Sequence, residues 1–210
     1  MVMAHTGRMR TTAHRDTAAL RSVAVLAALG LLVASCGNGD ERGELSHTGT
    51  LAAPEAADDA YTYDSELAPE GAELTIMAES DAAATEVTLR VSGLLSDRGY
   101  AVHAHTDPCG TDGGDSGPHY QHEIDPAATP DDPSTDPEYA NPDNEIWLDV
   151  VTDDDGDGEV TTEVPFGFAE DAPESIVLHQ EPETATEPGE AGTAGDRVAC
   201  LTVPFGALAS

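Results

Sequence analysis

Histidine is scarce in this chain and is placed where metal chemistry would need it. Eight His occur; His5, His14 and His47 lie among the first 50 residues, and the rest are His103, His105, His119, His122 and His179. His103 and His105 stand at i and i+2 in Gly99-Tyr-Ala-Val-His103-Ala-His105, a segment that reads as a strand, so both imidazoles point to one face. His119 follows a Gly- and Asp-rich stretch in Gly117-Pro118-His119-Tyr120, and His179 closes the apolar run Ser175-Ile-Val-Leu-His179. A single such His is more often a structural residue than a ligand. Four, with an HxH pair among them, in a chain without Lys, favour a metal, and four imidazoles without a thiolate suit copper or zinc.

The elements that would position these residues are strands. Alternating or apolar segments occur at 72–77, 86–91, 99–105, 145–151, 159–164, 175–179 and 197–203, with Gly, Asp and Pro between them and no sustained helical period. This pattern predicts an antiparallel sandwich or barrel. The longest irregular stretch, 106–144, carries His119 and His122, and loops of that length in a compact domain are usually functional. Asp153-Asp-Asp-Gly-Asp-Gly158 matches the first six positions of a calcium-binding loop. Position 12, however, is Val164 where a bidentate Glu is needed, so a solvated hairpin turn is the better reading.

The amino terminus reads as an address. Four Arg precede residue 22, and an apolar run, 22–35, is too short for a bilayer but right for a signal peptide. It ends in Val33-Ala-Ser35-Cys36-Gly37, which resembles a bacterial lipobox with Cys36 as the lipidated residue. The expected organisation is therefore a lipoprotein signal peptide at 1–35, a lipidated Cys and polar linker at 36–71, and one folded domain at 72–207. His47 falls in that linker and is expected to be solvated and idle. The domain is expected to sit at the extracytoplasmic face of the membrane, held by its lipid anchor alone.

Charge excludes some partners. Eight Arg face 41 acidic residues, a formal net charge of −33. Such a surface repels nucleic acid and anionic headgroups and is best read as adaptation to high salt. Beyond Cys36 there remain two cysteines, Cys109 and Cys200, an even pair in an oxidising compartment. A bridge between them would close a loop of roughly 90 residues, worth about 4–5 kcal/mol in the chain-entropy model.

These motifs together resemble the copper/zinc superoxide dismutases. The likeness rests on Gly99-Tyr-Ala-Val-His103-Ala-His105, Cys109-Gly110, Gly117-Pro118-His119-Tyr120, Val177-Leu-His179 and Gly192-Thr-Ala-Gly195-Asp-Arg197-Val-Ala-Cys200, in order, across about 135 residues from 72 to 207. The resemblance implies an all-β, eight-stranded antiparallel Greek-key β-barrel or sandwich. It implies copper held by His103, His105, His119 and His179, a Cys109–Cys200 disulfide, and Arg197 as the cation that guides the superoxide anion to the metal.

The departures concern zinc. In the family the His matching His119 bridges to a zinc ion completed by two further His and an Asp. Here the loop offers only His122, and Asn144 and Trp147 stand where the later ligands would align. A looser zinc set of His119, His122 and Asp143 stays open, but a copper-only site is favoured, with Glu145 placed to take over the hydrogen bond to His119. The segment 180–192 is acidic where the family carries steering lysines, so superoxide gains no long-range attraction. The expected activity is extracytoplasmic superoxide dismutation. The alternative is a non-enzymatic copper-binding lipoprotein on the same fold, which would have no need of Arg197.

Overall fold

The computed structural model describes residues 42–129, 132–168 and 171–209. The chain divides into two units, Met1–Asn38 and Gly39–Ser210, and the described residues belong to the second. The expected signal peptide and Cys36 lie outside the described residues.

Ten strands are described: β1 Gly43–Thr50, β2 Ala60–Thr62, β3 Glu73–Ser80, β4 Thr85–Ser92, β5 Gly99–Tyr100, β6 Val102–His105, β7 Val150–Val151, β8 Gly158–Val164, β9 Ser175–His179 and β10 Arg197–Thr202. They form two four-stranded sheets, β1-β3-β4-β8 and β2-β10-β9-β6, with β5-β7 as a small third ladder. Every ladder is antiparallel. The chain is thus all-β as expected, and a sandwich of two sheets describes it; among the described residues the two four-stranded sheets share no ladder, only the isolated parallel bridge of Ala52, just past β1, to Tyr61 of β2.

The alternation read from sequence sets the layers. Leu74, Ile76 and Ala78 of β3, with Val87, Leu89 and Val91 of β4, are buried, while Glu73, Glu79 and Arg90 face solvent. They pack against Val102, Ala104, Ile176, Leu178, Ala199 and Leu201 of the second sheet. Strand β9 is buried along its whole length, consistent with its central position in that sheet.

The folded body begins earlier than the expected 72–207 boundary, and this corrects the reading of 36–71 as a linker. β1 pairs with β3 along all eight residues, and β2 pairs with β10. The segment shows no apolar alternation because its inward positions are Gly43, Leu45, His47 and Gly49, which carry a single apolar side chain of any size. Gly49 is a packing choice: a Cβ there would press on Leu201 and Ala60 of the other sheet. His47 is not idle in a linker; it lies in β1 with its Nε2 3.0 Å from Asp59 Oδ2.

The expected strand 145–151 is only partly regular. Val150–Val151 forms β7, while Ile146 and Leu148 pair with β6 through Ala104 N–H to Ile146 O (3.1 Å) and Leu148 N–H to Val102 O (2.7 Å). The ladder breaks at Ala101, whose N–H turns to Glu181 O. Residues 153–158 form the expected turn, with the N–H groups of Asp155 and Asp157 donated to Asp153 Oδ1.

A chain starting at Ala72 should lose cooperative urea unfolding and near-ultraviolet dichroism, because the β3 edge and the outer flank of β10 are stripped of their partners. A chain starting at Gly39 should keep both. Equal stability of the two would refute the revised boundary.

Candidate metal centre

His103 and His105 lie on β6 and are both fully buried, so the period-two spacing does place two imidazoles on one face. His105 bridges to His119 in antiparallel fashion, which draws the 106–118 loop back along β6. Thr106 N–H to Pro118 O and Asp107 N–H to Ser116 O close that loop like a hairpin. His179 ends β9, directly opposite Arg197 in the β10 register, and a bulge between Arg197 and Ala199 follows. Four sequence-distant rings thereby meet: His103, His105, His119 and His179 each offer a nitrogen within 4.8 Å of all the others.

The tautomers follow from what the far side of each ring touches. His105 Nδ1 lies 3.0 Å from Gly117 O and His179 Nδ1 3.3 Å from Gly195 O. A carbonyl only accepts, so both Nδ1 atoms carry the proton and both Nε2 atoms are bare. His119 Nδ1 lies 3.2 Å from Glu145 Oε2 and donates to it, so in the neutral ring its Nε2 is the bare nitrogen. His103 is turned the other way: its Nε2 lies 2.6 Å from Thr184 Oγ1, and its Nδ1 faces His119 Nε2 at 3.1 Å.

The cluster is therefore three Nε2 atoms and one Nδ1. Bare lone pairs at this range repel unless a cation lies between them. His105 Nε2 and His179 Nε2 face each other in this way at 3.3 Å. Two nitrogens bound to one ion at about 2 Å each can be at most about 4 Å apart, so the set needs a contraction of less than about 1 Å. The donor set fits a metal ion.

Burial prepares the same state. Desolvation, then the neighbouring imidazoles, hold His103 and His105 well below the usual imidazole range. Desolvation brings His179 down to about 3. The rings are kept neutral, which is the form that binds metal.

The glycine carbonyls are part of the device. Gly117 has φ 69° and ψ −167°, a conformation essentially reserved for Gly, and its oxygen also accepts Arg197 Nη2–H at 2.6 Å. Arg197 Nη1 donates to Gly113 O (2.7 Å) and to Ser116 Oγ (3.1 Å). Among the described residues its Nε–H and its second Nη2–H meet no acceptor. Arg197 opens on a cleft also lined by Tyr63, Asp64, Asp112 and Asp196. Cys109 and Cys200 are joined, so the loop that carries Gly113 and Gly117 is tied to β10, which carries Arg197.

Glu145 is 2% exposed and receives three donors: His119 Nδ1, Trp147 Nε1 (2.7 Å) and Gln121 Nε2 (2.8 Å). Sequence position had pointed to its bond with His119, but not to the roles of Gln121 and Trp147. His122 is outside the cluster; its exposed ring stacks on Phe166 with centroids 4.3 Å apart. Among the described residues no group of potential ligands joins His122 to Asp143. Asn144 is a loop clamp, donating to Glu123 O and Tyr139 O at 2.8 Å each.

Fold and site thus define an antiparallel β-sandwich whose buried four-imidazole cluster is suited to a metal ion. No family model matches the chain, and no curated protein matches it. Among solved structures it is similar to the Cu/Zn superoxide dismutase from Brucella abortus, at 17% identity and a TM-score of 0.45, over 76% of this chain and 99% of that one. The histidine cluster and the Cys109–Cys200 bridge fit what the sequence resemblance to that family implies.

The depressed imidazoles give the metal-free protein a signed pH dependence. The unfolded chain protonates these rings near pH 6.5, while the folded chain resists. Their contribution to stability is complete above that pH and is lost as the pH falls toward 3. The urea midpoint of metal-free protein should be flat from pH 8 to 7 and fall from 6.5 to 5.5, where carboxylates are still ionised. A midpoint that rises across that window would contradict the neutral, buried cluster.

Proposed function

We propose that the protein is an extracytoplasmic, lipid-tethered superoxide dismutase dependent on copper. The observation that carries the reading is the convergence of four bare imidazole nitrogens beside an arginine with two N–H groups to spare. Four imidazoles without a thiolate or carboxylate suit copper or zinc, and the sequence resemblance selects copper. His103 Nδ1 and the Nε2 atoms of His105, His119 and His179 would hold it. The chemistry copper supplies when bound is one-electron exchange, by which one superoxide is oxidised to oxygen and a second, with two protons, is reduced to hydrogen peroxide.

The chain's own residues bind, orient and guard. Gly117 O, Gly195 O and Glu145 hold three rings in the tautomer that presents Nε2. His119 is the most open of the four rings at 20% exposure, the ring a proton from solvent reaches most readily. Arg197, its Nη groups pinned, directs its remaining N–H groups to an arriving anion without having to be ordered first. Asp64, Asp112 and Asp196 line the same cleft and oppose long-range attraction of that anion. The Cys109–Cys200 disulfide, stable outside the cytoplasm, and the lipobox-like run ending at Cys36 support a place at the extracytoplasmic face of the cell membrane.

Copper-loaded protein should dismutate superoxide with a rate that rises with ionic strength, since salt screens the acidic cleft more than it weakens the pinned Arg197. Arg197→Ala, compared with the wild type at equal and full copper occupancy because the substitution also frees the loop that carries His119, should cut the rate about tenfold or more. A copper-binding protein without turnover would show no dismutation and no effect of that substitution on any rate. A rate that falls as salt rises would contradict the electrostatic reading.

A further inference from the structure

Thr184 lies in the acidic segment that follows β9, between Glu183 and Ala185, yet it is only 7% exposed. Its environment is unusual for a surface threonine. Its backbone N–H donates to Asp149 Oδ2 at 2.7 Å, and its hydroxyl lies 2.7 Å from Asp149 Oδ1. The same hydroxyl lies 2.6 Å from His103 Nε2. Asp149 is held in turn by Val102 N–H, one residue before His103, at 3.1 Å.

The direction of the protons is forced by the inventory of donors. An ionised carboxylate can only accept, so the Thr184 hydroxyl proton is committed to Asp149 Oδ1. What the hydroxyl then turns toward His103 is a lone pair. His103 must meet it with Nε2–H, and its Nδ1 is left bare and facing the cluster. The opposite tautomer would set Thr184 to donate to His103 and leave two acceptor oxygens 2.7 Å apart in a buried place, a costly contact.

We infer that Thr184 and Asp149 form a hydroxyl–carboxylate relay that positions His103, fixing its Nε2-protonated tautomer and so making Nδ1 the nitrogen given to the metal. The inference rests on the proposed function for the identity of the ion, but not for the tautomer. It accounts for a difference within the cluster. Three rings are oriented by acceptors on Nδ1, two of them rigid glycine carbonyls. His103 alone is reversed, and it alone needs an acceptor delivered to its Nε2, which Thr184 brings from the acidic segment. The relay also docks that segment, since one residue gives both its N–H and its O–H to the same carboxylate.

The test uses Thr184→Val, which keeps the shape and the backbone N–H while removing the hydroxyl, and Thr184→Ser, which restores it. In metal-free full-length protein at pH 7.5, long-range proton–nitrogen correlation spectra should show His103 protonated on Nε2 and bare on Nδ1 in the wild type and in Thr184→Ser. Thr184→Val should give a mixture of tautomers. Cu(II) affinity by chelator competition should fall about 10–100-fold in Thr184→Val and stay within about threefold in Thr184→Ser, with altered nitrogen hyperfine splitting only in the former. Asp149→Asn supplies a second variant: an amide turned toward the Thr184 hydroxyl gives up the bond from Val102 N–H and releases the hydroxyl proton toward His103, favouring the other tautomer. The relay is overturned if wild-type His103 carries its proton on Nδ1, or if Thr184→Val changes neither the tautomer nor the affinity. Failure of the wild type to bind copper would sink the proposed function, while the nitrogen spectra would still decide the relay.

Discussion

Four imidazole lone pairs aimed at one another inside a protein repel, and this repulsion is the constraint around which the rest of the structure is arranged. Each ring is held in place from behind. Gly117 O, Gly195 O, Glu145 and Thr184 each take or face the proton on the outer nitrogen, so that the inner nitrogen is bare and neutral. Burial adds to this by disfavouring the charged form of His103, His105 and His179. Such a cluster is unfavourable alone and becomes favourable with a cation at its centre, which is why geometry, tautomers and burial all point to the same use.

The fold supplies rigidity where those backing groups sit. Strands β6 and β9 pair directly, bringing His103, His105 and His179 to one region of the second sheet. His119 comes from a loop and needs other restraints. The Cys109–Cys200 bond and the three bonds from Arg197 to Gly113, Ser116 and Gly117 hold that loop to β10. Arg197 therefore has a structural duty through its pinned donors, and its remaining N–H groups are the ones the proposed function assigns to an anion. The acidic segment closes the other side through Thr184, against the repulsion expected among so many carboxylates.

The four ligand candidates were legible because their cues are local or ordered along the chain: an HxH pair at strand spacing, a Gly-Pro-His, and a His ending an apolar run. The all-β character was equally plain from the alternation in β3 and β4. What sequence did not show has physical reasons. β1 hides because its inward residues are mostly glycine and polar, so no apolar period marks it. Glu145 could be guessed from its position, but Trp147 and Gln121 joined it only through folding. Thr184 and Asp149 were invisible: they lie 35 residues apart, and Thr184 lies 81 from His103. In a segment of Thr, Glu, Pro and Gly, nothing distinguishes the one hydroxyl that turns inward. His122 is the opposite case, a residue type that suggests ligation but whose ring stacks on Phe166.

The central claim is that these four histidines form a single copper site. Metal analysis of the oxidised protein after exposure to equal copper and zinc, read together with the electron paramagnetic resonance of the bound Cu(II), tests it most directly. The account predicts one copper per chain, no stoichiometric zinc, and a Cu(II) signal with nitrogen donors only, lost when His103 and His105 are both replaced by Gln. Zinc at one per chain in place of copper, or a Cu(II) signal that survives that double replacement, would contradict it.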